Sequence, residues 1–185
     1  MSEIVRLTLV SHAMTDAMAA GRFPRDEPLN PLGQRQVDAT TDLGAVDAAV
    51  CAPEKRARQT AELLGLRAET EPLLADLNYG SWRGNVLGGI HPAELTLWLT
   101  DPAQAPHGGE SVAVLVERVR GWLDTLAARR GRLVAVTHPG VVRAAILVAL
   151  DAPPKSFWRI DVSPVSRTVM HLRGQAWTLR STGLT

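Results

Sequence analysis

The chain has 185 residues, 45% of them hydrophobic and 21% charged, with a formal net charge of +1. That length suits a single domain over 1–185 with a sizeable core, and the near-neutral charge gives no electrostatic case for nucleic acid or an anionic membrane as a partner. The lone Cys51 excludes an internal disulfide, Met1-Ser2-Glu3 lacks the basic segment of a signal peptide, and no apolar run is long enough to span a bilayer, so a cytoplasmic protein is expected.

In chain order, 4–10 reads as a buried strand that runs into Ser11 and His12. Residues 13–31, rich in Gly, Pro and charge, read as a long loop, and 33–43 as helix-compatible. A short strand over 48–51 leads to Pro53, which opens a helix through about residue 64, since proline is tolerated in a first helical turn. Residues 67–71 are a candidate third strand, and 73–106 is irregular, with a short helix near 92–99.

The clearest helix starts at Gly109-Glu110-Ser111, with Val112, Leu115, Val119, Trp122, Leu123 and Leu126 at three- and four-residue steps on one face. Strand 132–137 runs into His138, followed by an apolar helix over 139–150. Two strands around Arg173-Gly174-Gln175 form a terminal hairpin. Strands alternating with helices predict an α/β three-layer sandwich, with a mostly parallel central sheet and helices on both faces. Ligands of such sheets bind beyond the carboxyl ends of the strands, where His12 and His138 both lie.

Three other features bear on chemistry. Lys55, Arg56 and Arg58 crowd the start of a helix, where the dipole favours negative charge; this is either a phosphate site or a solvated basic face. Asp76 sits in an irregular loop flanked by Tyr79 and Trp82, as a general acid or as a loop cap. His91, His107 and His171 read as loop or surface residues, with His107 a candidate for the pocket rim, and their spacing shows no metal motif. Trp82 is a candidate wall of the site, and the other tryptophans read as packing residues without the basic stripe of a nucleic-acid platform.

Taken in order, these pieces resemble the histidine phosphatase superfamily, the phosphoglycerate mutase-like family. Ser11-His12-Ala13-Met14-Thr15 stands at its Arg-His-Gly-x-Thr motif, and Leu29 through Gln36 at its Leu-Thr-x-x-Gly-x-x-Gln loop. Cys51 through Ala61 matches its Ser-x-x-x-x-Arg-Ala-x-Gln-Thr-Ala signature, and Asp76 through Trp82 its Glu-x-x-x-Gly-x-Trp acid loop. Gly109-Glu110-Ser111 and His138-Pro139-Gly140, with Arg143 following, complete the set, which covers nearly the whole chain.

The resemblance implies phosphoryl transfer without metal or other cofactor on a small phosphorylated substrate. His12 would be the nucleophile that forms a phosphohistidine. Arg56 and His138 would bind the phosphoryl oxygens together with His12, and Asp76 would be the general acid and base. A compact 72–106 region resembles the phosphatase branch; a phosphoglycerate mutase is the weaker alternative. A homodimer through the terminal hairpin is expected by analogy only.

The chain departs from the family pattern at its first motif. Ser11 replaces the arginine before the nucleophile, Ala13 replaces the glycine, and Met18 stands where an asparagine is frequent. Either another cation takes the arginine's place, with Arg22, Arg25 and Arg83 as candidates, or the protein binds a phosphorylated ligand with weak turnover or none.

Overall fold

The computed structural model describes residues 4–38 and 43–184. Six strands form one mixed sheet in the order β3-β2-β4-β1-β5-β6. They are β1 (Val5–Ser11), β2 (Ala48–Cys51), β3 (Glu69–Thr70), β4 (Gly131–Thr137), β5 (Arg167–Arg173) and β6 (Ala176–Leu184). Strands β1 to β4 run parallel, and β5 and β6 join antiparallel at one edge. The helices are α1 (Asp16–Ala19), α2 (Pro31–Asp38), α3 (Lys55–Leu63), α4 (Pro92–Thr100), α5 (Val112–Thr125) and α6 (Pro139–Ala149).

Strand β4 is buried at every residue from Leu133 to Thr137, which requires cover on both faces of the sheet. Helices α2 and α3 pack together and α3 reaches β4, while α5 packs on α6 and α6 on β1. Ser111 caps α5, its Oγ accepting from Val114 N at 3.2 Å. Helix α5 buries Val112, Leu115, Val116, Val119, Trp122 and Leu123. Among the described residues no helix is long and apolar enough to cross a membrane.

The register of the parallel strands positions the site. Ser11 pairs with Thr137, so the next residues, His12 and His138, leave the sheet side by side. Cys51 pairs with Val136, which brings the exit of β2 and the start of α3 to the same edge.

Several boundaries differ from those expected. Helix α3 begins at Lys55, because Glu54 is the extended N-cap residue (φ −71°, ψ 148°). The third strand shrinks to Glu69–Thr70, two exposed residues with no apolar face to bury. Helix α2 starts at Pro31, two residues early, and the end expected near Leu43 crosses 39–42, outside the described residues. The loop over 13–31 contains α1 and closes on itself through a Thr15–Leu29 bridge.

The irregular 76–84 segment is clamped by aromatic packing and by close backbone contact. Phe23, Trp82 and Trp98 stack edge to edge with centroids 5.2–5.7 Å apart. Asn78 O accepts from Glu110 N at 2.8 Å. A Cβ on Gly109 would strike that carbonyl, whereas one on the exposed Gly121 of α5 would meet nothing. Gly109→Ala should therefore lower stability by about 1–3 kcal/mol. Gly121→Ala should raise it by roughly 1 kcal/mol, or about 2–4 °C in Tm, as an alanine relieves the helix of a glycine. Thermal melts of the two variants check both signs.

Candidate active site

The backbone at the end of β1 is fully engaged. Ser11 N donates to Ser166 O (3.1 Å), Val165 N to Ser11 O (3.0 Å) and His12 N to Thr137 O (2.9 Å). Ala13 N donates to Thr60 Oγ1 of α3 at 3.0 Å, which ties the nucleophile loop to the helix carrying Arg56. His12 is 3% exposed, and its ring lies 5.1 Å from that of His138, edge to face at 66°. Its Nδ1 is 2.8 Å from the carbonyl of Ala13. A carbonyl only accepts, so Nδ1 carries the proton and Nε2 keeps a free lone pair. Burial, with the nearby His138 and Arg56, lowers the His12 pKa to about 3, so the ring is neutral at physiological pH.

Two ion pairs close the rest of the site. Arg56, 2% exposed, donates from Nη2 to Asp76 Oδ2 (2.7 Å) and from Nη1 to Arg25 O (2.8 Å). His138 Nε2 meets Glu54 Oε2 at 2.8 Å, and its Nδ1 lies 3.5 Å from Asp76 Oδ2. Burial pushes the Asp76 pKa up, but the charges of His138 and Arg56 outweigh it, and the carboxyl ends below its usual range. Burial also opposes ionisation of Glu54; the hydrogen bond and charge of His138, with the Asp76 N–H, bring its pKa down to about 2. His12, Arg56, Asp76 and His138 are thus brought together from three strand exits and one loop.

Glu54 is the residue the sequence reading missed. Its signal was faint: one carboxylate two positions before Arg56, where a helix cap is the ordinary expectation. Arg118 was missed as well. It donates to the carbonyls of Leu73 and Ala75 (2.7 and 3.0 Å) and pairs with Glu110 (2.8 Å), holding the segment that delivers Asp76. Thr137 Oγ1 donates to Leu74 O at 2.8 Å and anchors the same segment to β4.

The candidate replacement cations divide. Arg25 and Arg83 line a cleft of about 190 Å³ that also exposes Glu54, Arg56, Asp76 and Tyr79. Arg22 does not reach it; it lines a neighbouring depression with Asp16 and Glu27 and bridges to Val86. Ser11 is fully buried and its Oγ has no hydrogen-bond partner. Arg143 lies 5.6 Å from the Phe157 and Trp158 ring centres and donates to Ile160 O, serving packing.

Two expectations are corrected. His107 is no rim residue: it is 2% exposed, stacked 5.1 Å from Trp82, with Nδ1 accepting from Gly109 N. Trp82 faces that aromatic cluster rather than the cleft, whose wall carries Tyr79 instead. The 3₁₀ turn at Gly80–Trp82 points the indole inward, and the bond from Gly109 N holds the His107 ring against it. Among the described residues no group of three or more His, Cys, Asp or Glu is placed to hold a metal ion.

Residues 7–185 match the family described as the histidine phosphatase superfamily (branch 1). Phosphoserine phosphatase 1 of Hydrogenobacter thermophilus is 27% identical over 184 residues, 91% of this chain and 87% of its own. Glucosyl-3-phosphoglycerate phosphatase of Mycolicibacterium vanbaalenii is 29% identical over 176 residues, 84% and 78% of the two chains. The chain spans about half (49%) of a bifunctional protein of Mycobacterium tuberculosis at 28% identity. Among solved structures, a mycobacterial glucosyl-3-phosphoglycerate phosphatase in complex with VO3 superimposes with a TM-score of 0.85 at 26% identity, covering 97% of this chain and 99% of that one.

The depressed pKa values make stability acid-sensitive. Folded His12 stays neutral down to about pH 3, whereas the unfolded ring binds a proton below the ordinary imidazole pKa of 6.5, so stability falls as pH drops from 6.5 towards 3. Glu54 adds a further loss as pH falls from 4.5 towards 2, because the unfolded carboxyl protonates first. The unfolding free energy should be flat just above neutrality and fall on acidification, by at most about 1.4 kcal/mol per pH unit for each group, with Tm following the same sign. His12→Gln should flatten the upper part of that decline; an unchanged profile in the variant would contradict the assignment.

Proposed function

Because the chain belongs to the histidine phosphatase superfamily, we propose that it is a metal-independent phosphomonoester hydrolase acting on a small phosphorylated metabolite through a phosphohistidine on His12. The observation that carries this reading is the His12 tautomer: Nδ1–H is committed to the Ala13 carbonyl, which leaves a neutral Nε2 lone pair as the nucleophile.

In the proposed reaction His12 Nε2 attacks phosphorus in line and the ester P–O bond breaks. Arg56 and His138 take the equatorial oxygens and stabilise the transferring phosphoryl group. Asp76 supplies the proton that the leaving alkoxide needs. In the free site Asp76 is ionised against Arg56. A bound phosphoryl group takes over that guanidinium and adds negative charge nearby, and both changes raise the carboxyl pKa towards that of a proton donor. Asp76 then accepts a proton from water, which attacks phosphorus as the P–N bond breaks, releasing phosphate and free His12. Arg25 and Arg83, exposed along the cleft, are the cations able to compensate for Ser11.

A second reading, a phospholigand-binding homologue with little or no turnover, is favoured by one observation. Ser11 places an unpartnered hydroxyl, without charge, where the family pattern has arginine. A chromogenic aryl phosphate decides between the two. The hydrolase reading expects turnover that His12→Ala abolishes and that Arg56→Ala lowers by about 10²–10³. Asp76→Asn should slow alkyl esters more than aryl esters, whose leaving groups need less protonation. Wild-type silence across a phosphate-ester panel, with ligand-induced thermal stabilisation retained, would establish the binding role instead. Ser11→Arg should raise activity if the pocket lacks only charge.

A further inference from the structure

Three carboxylates, rather than two, surround the catalytic groups. Glu54 occupies the N-cap position of α3 but makes no capping bond. Asp26 does that work from another loop, its Oδ1 accepting from Lys55 N at 2.8 Å. Glu54 is thereby free to turn inward: Oε2 sits on His138 Nε2 (2.8 Å) and Oε1 accepts from Asp76 N (3.0 Å). The other ring nitrogen of His138 faces Asp76 at 3.5 Å, so among the described residues Glu54 holds the only hydrogen bond its ring makes.

A phosphoryl oxygen that binds His138 through Nε2–H must therefore contend with a carboxylate oxygen already there. Both are pure acceptors when ionised, and at contact they repel. The cleft supplies no surplus charge to overcome this: its guanidinium groups, Arg25, Arg56 and Arg83, face three carboxylates, Asp26, Glu54 and Asp76. A singly protonated phosphoryl group removes the conflict, because its P–O–H can donate to Glu54 Oε2 while its other oxygens accept from Arg56 and His138.

We propose that Glu54 is a specificity-determining residue that makes this site select the monoanionic, singly protonated form of a phosphoryl ligand. The proposal rests on the reading of this cleft as a phosphoryl site. Whether the shared proton sits on the phosphoryl or the carboxylate oxygen, binding takes up one proton relative to the dianion. Glu54 meets His138 at the head of α6, with His12 beyond it, and shares its cleft with Asp76, Tyr79 and Arg83 from the acid loop, Arg56 on α3, and Arg25 and Asp26 from the preceding loop. The low pKa values of His12, Glu54 and Asp76 and the raised one of Tyr79 keep those groups in one state near neutrality. The ligand's own second ionisation is left to titrate near neutrality.

Calorimetric titration of inorganic phosphate and of sulfate into the wild type and Glu54→Gln, from about pH 5 to about pH 9, isolates the ligand's own proton. Sulfate matches phosphate in size but carries no proton in this range. Glutamine keeps the acceptor for Asp76 N and offers an N–H donor in place of the carboxylate. In the wild type, phosphate affinity should fall about tenfold per pH unit above the ligand's second pKa, the signature of one linked proton, and sulfate should bind at least about tenfold more weakly than phosphate at the acid end. In Glu54→Gln the slope should flatten and sulfate should bind. Equal wild-type affinity for the two anions overturns the proposal, and so does a slope that survives in the variant, which would place the linked proton away from Glu54. Silence toward both anions in both proteins overturns the phosphoryl-site reading itself, whereas equal binding overturns only the role of Glu54. If the variant fails to fold, the wild-type comparison of phosphate with sulfate decides alone.

Discussion

The parallel pairing of β1 with β4 is the constraint on which the site depends. Because Ser11 lies opposite Thr137, the two strands end level, and the residues that follow them are adjacent although they are far apart in sequence. The bond from His12 N to Thr137 O extends that register one step beyond the strand and fixes the nucleophile's backbone. A slip of one residue would move one histidine about 3.3 Å along the strand and turn the faces of a strand whose two sides are both buried. Burial of both faces of β4 thus enforces the meeting of His12 and His138, and the pairing of β2 with β4 brings Glu54 and Arg56 to the same edge.

Once these groups are gathered in a buried place, electrostatics dictates their pairing. An unpaired buried guanidinium or carboxylate loses several kcal/mol of hydration, so each ion must find a partner. Arg56 takes Asp76, and His138 takes Glu54. The site is in effect neutralised from within. Under the proposed function an entering phosphoryl group has to exchange partners with these carboxylates rather than fill a ready cationic cradle, and the loss of charge at Ser11 sharpens that requirement. Burial keeps His12 unprotonated, and the neighbouring His138 and Arg56 add to that effect.

Much of this was readable from the chain. The apolar runs before His12 and His138 marked two buried strands, the three- and four-residue steps from Val112 onward marked α5, and the motif order carried the family and four of the clustered residues. Glu54 was not readable, because an N-cap position has a local explanation for a carboxylate. Only the presence of Asp26 from a distant loop, already bonded to Lys55 N, shows that the local role is filled. His107 and Trp82 were misplaced for a related reason: in an irregular segment no periodicity says which way a side chain points, and a 3₁₀ turn decided it.

By itself, then, the sequence determined the alternation of strands and helices, the placement of His12 and His138 at two strand exits, and the absence of an arginine beside His12, since these rest on residue type and local spacing. Tertiary structure alone decided which cations reach the cleft and which carboxylate meets His138. Arg25 and Arg83 arrive while Arg22 does not, and Glu54 turns inward while Asp26 caps. These outcomes depend on competition among groups from separate segments for the same few donors, and that competition exists only after the chain has folded.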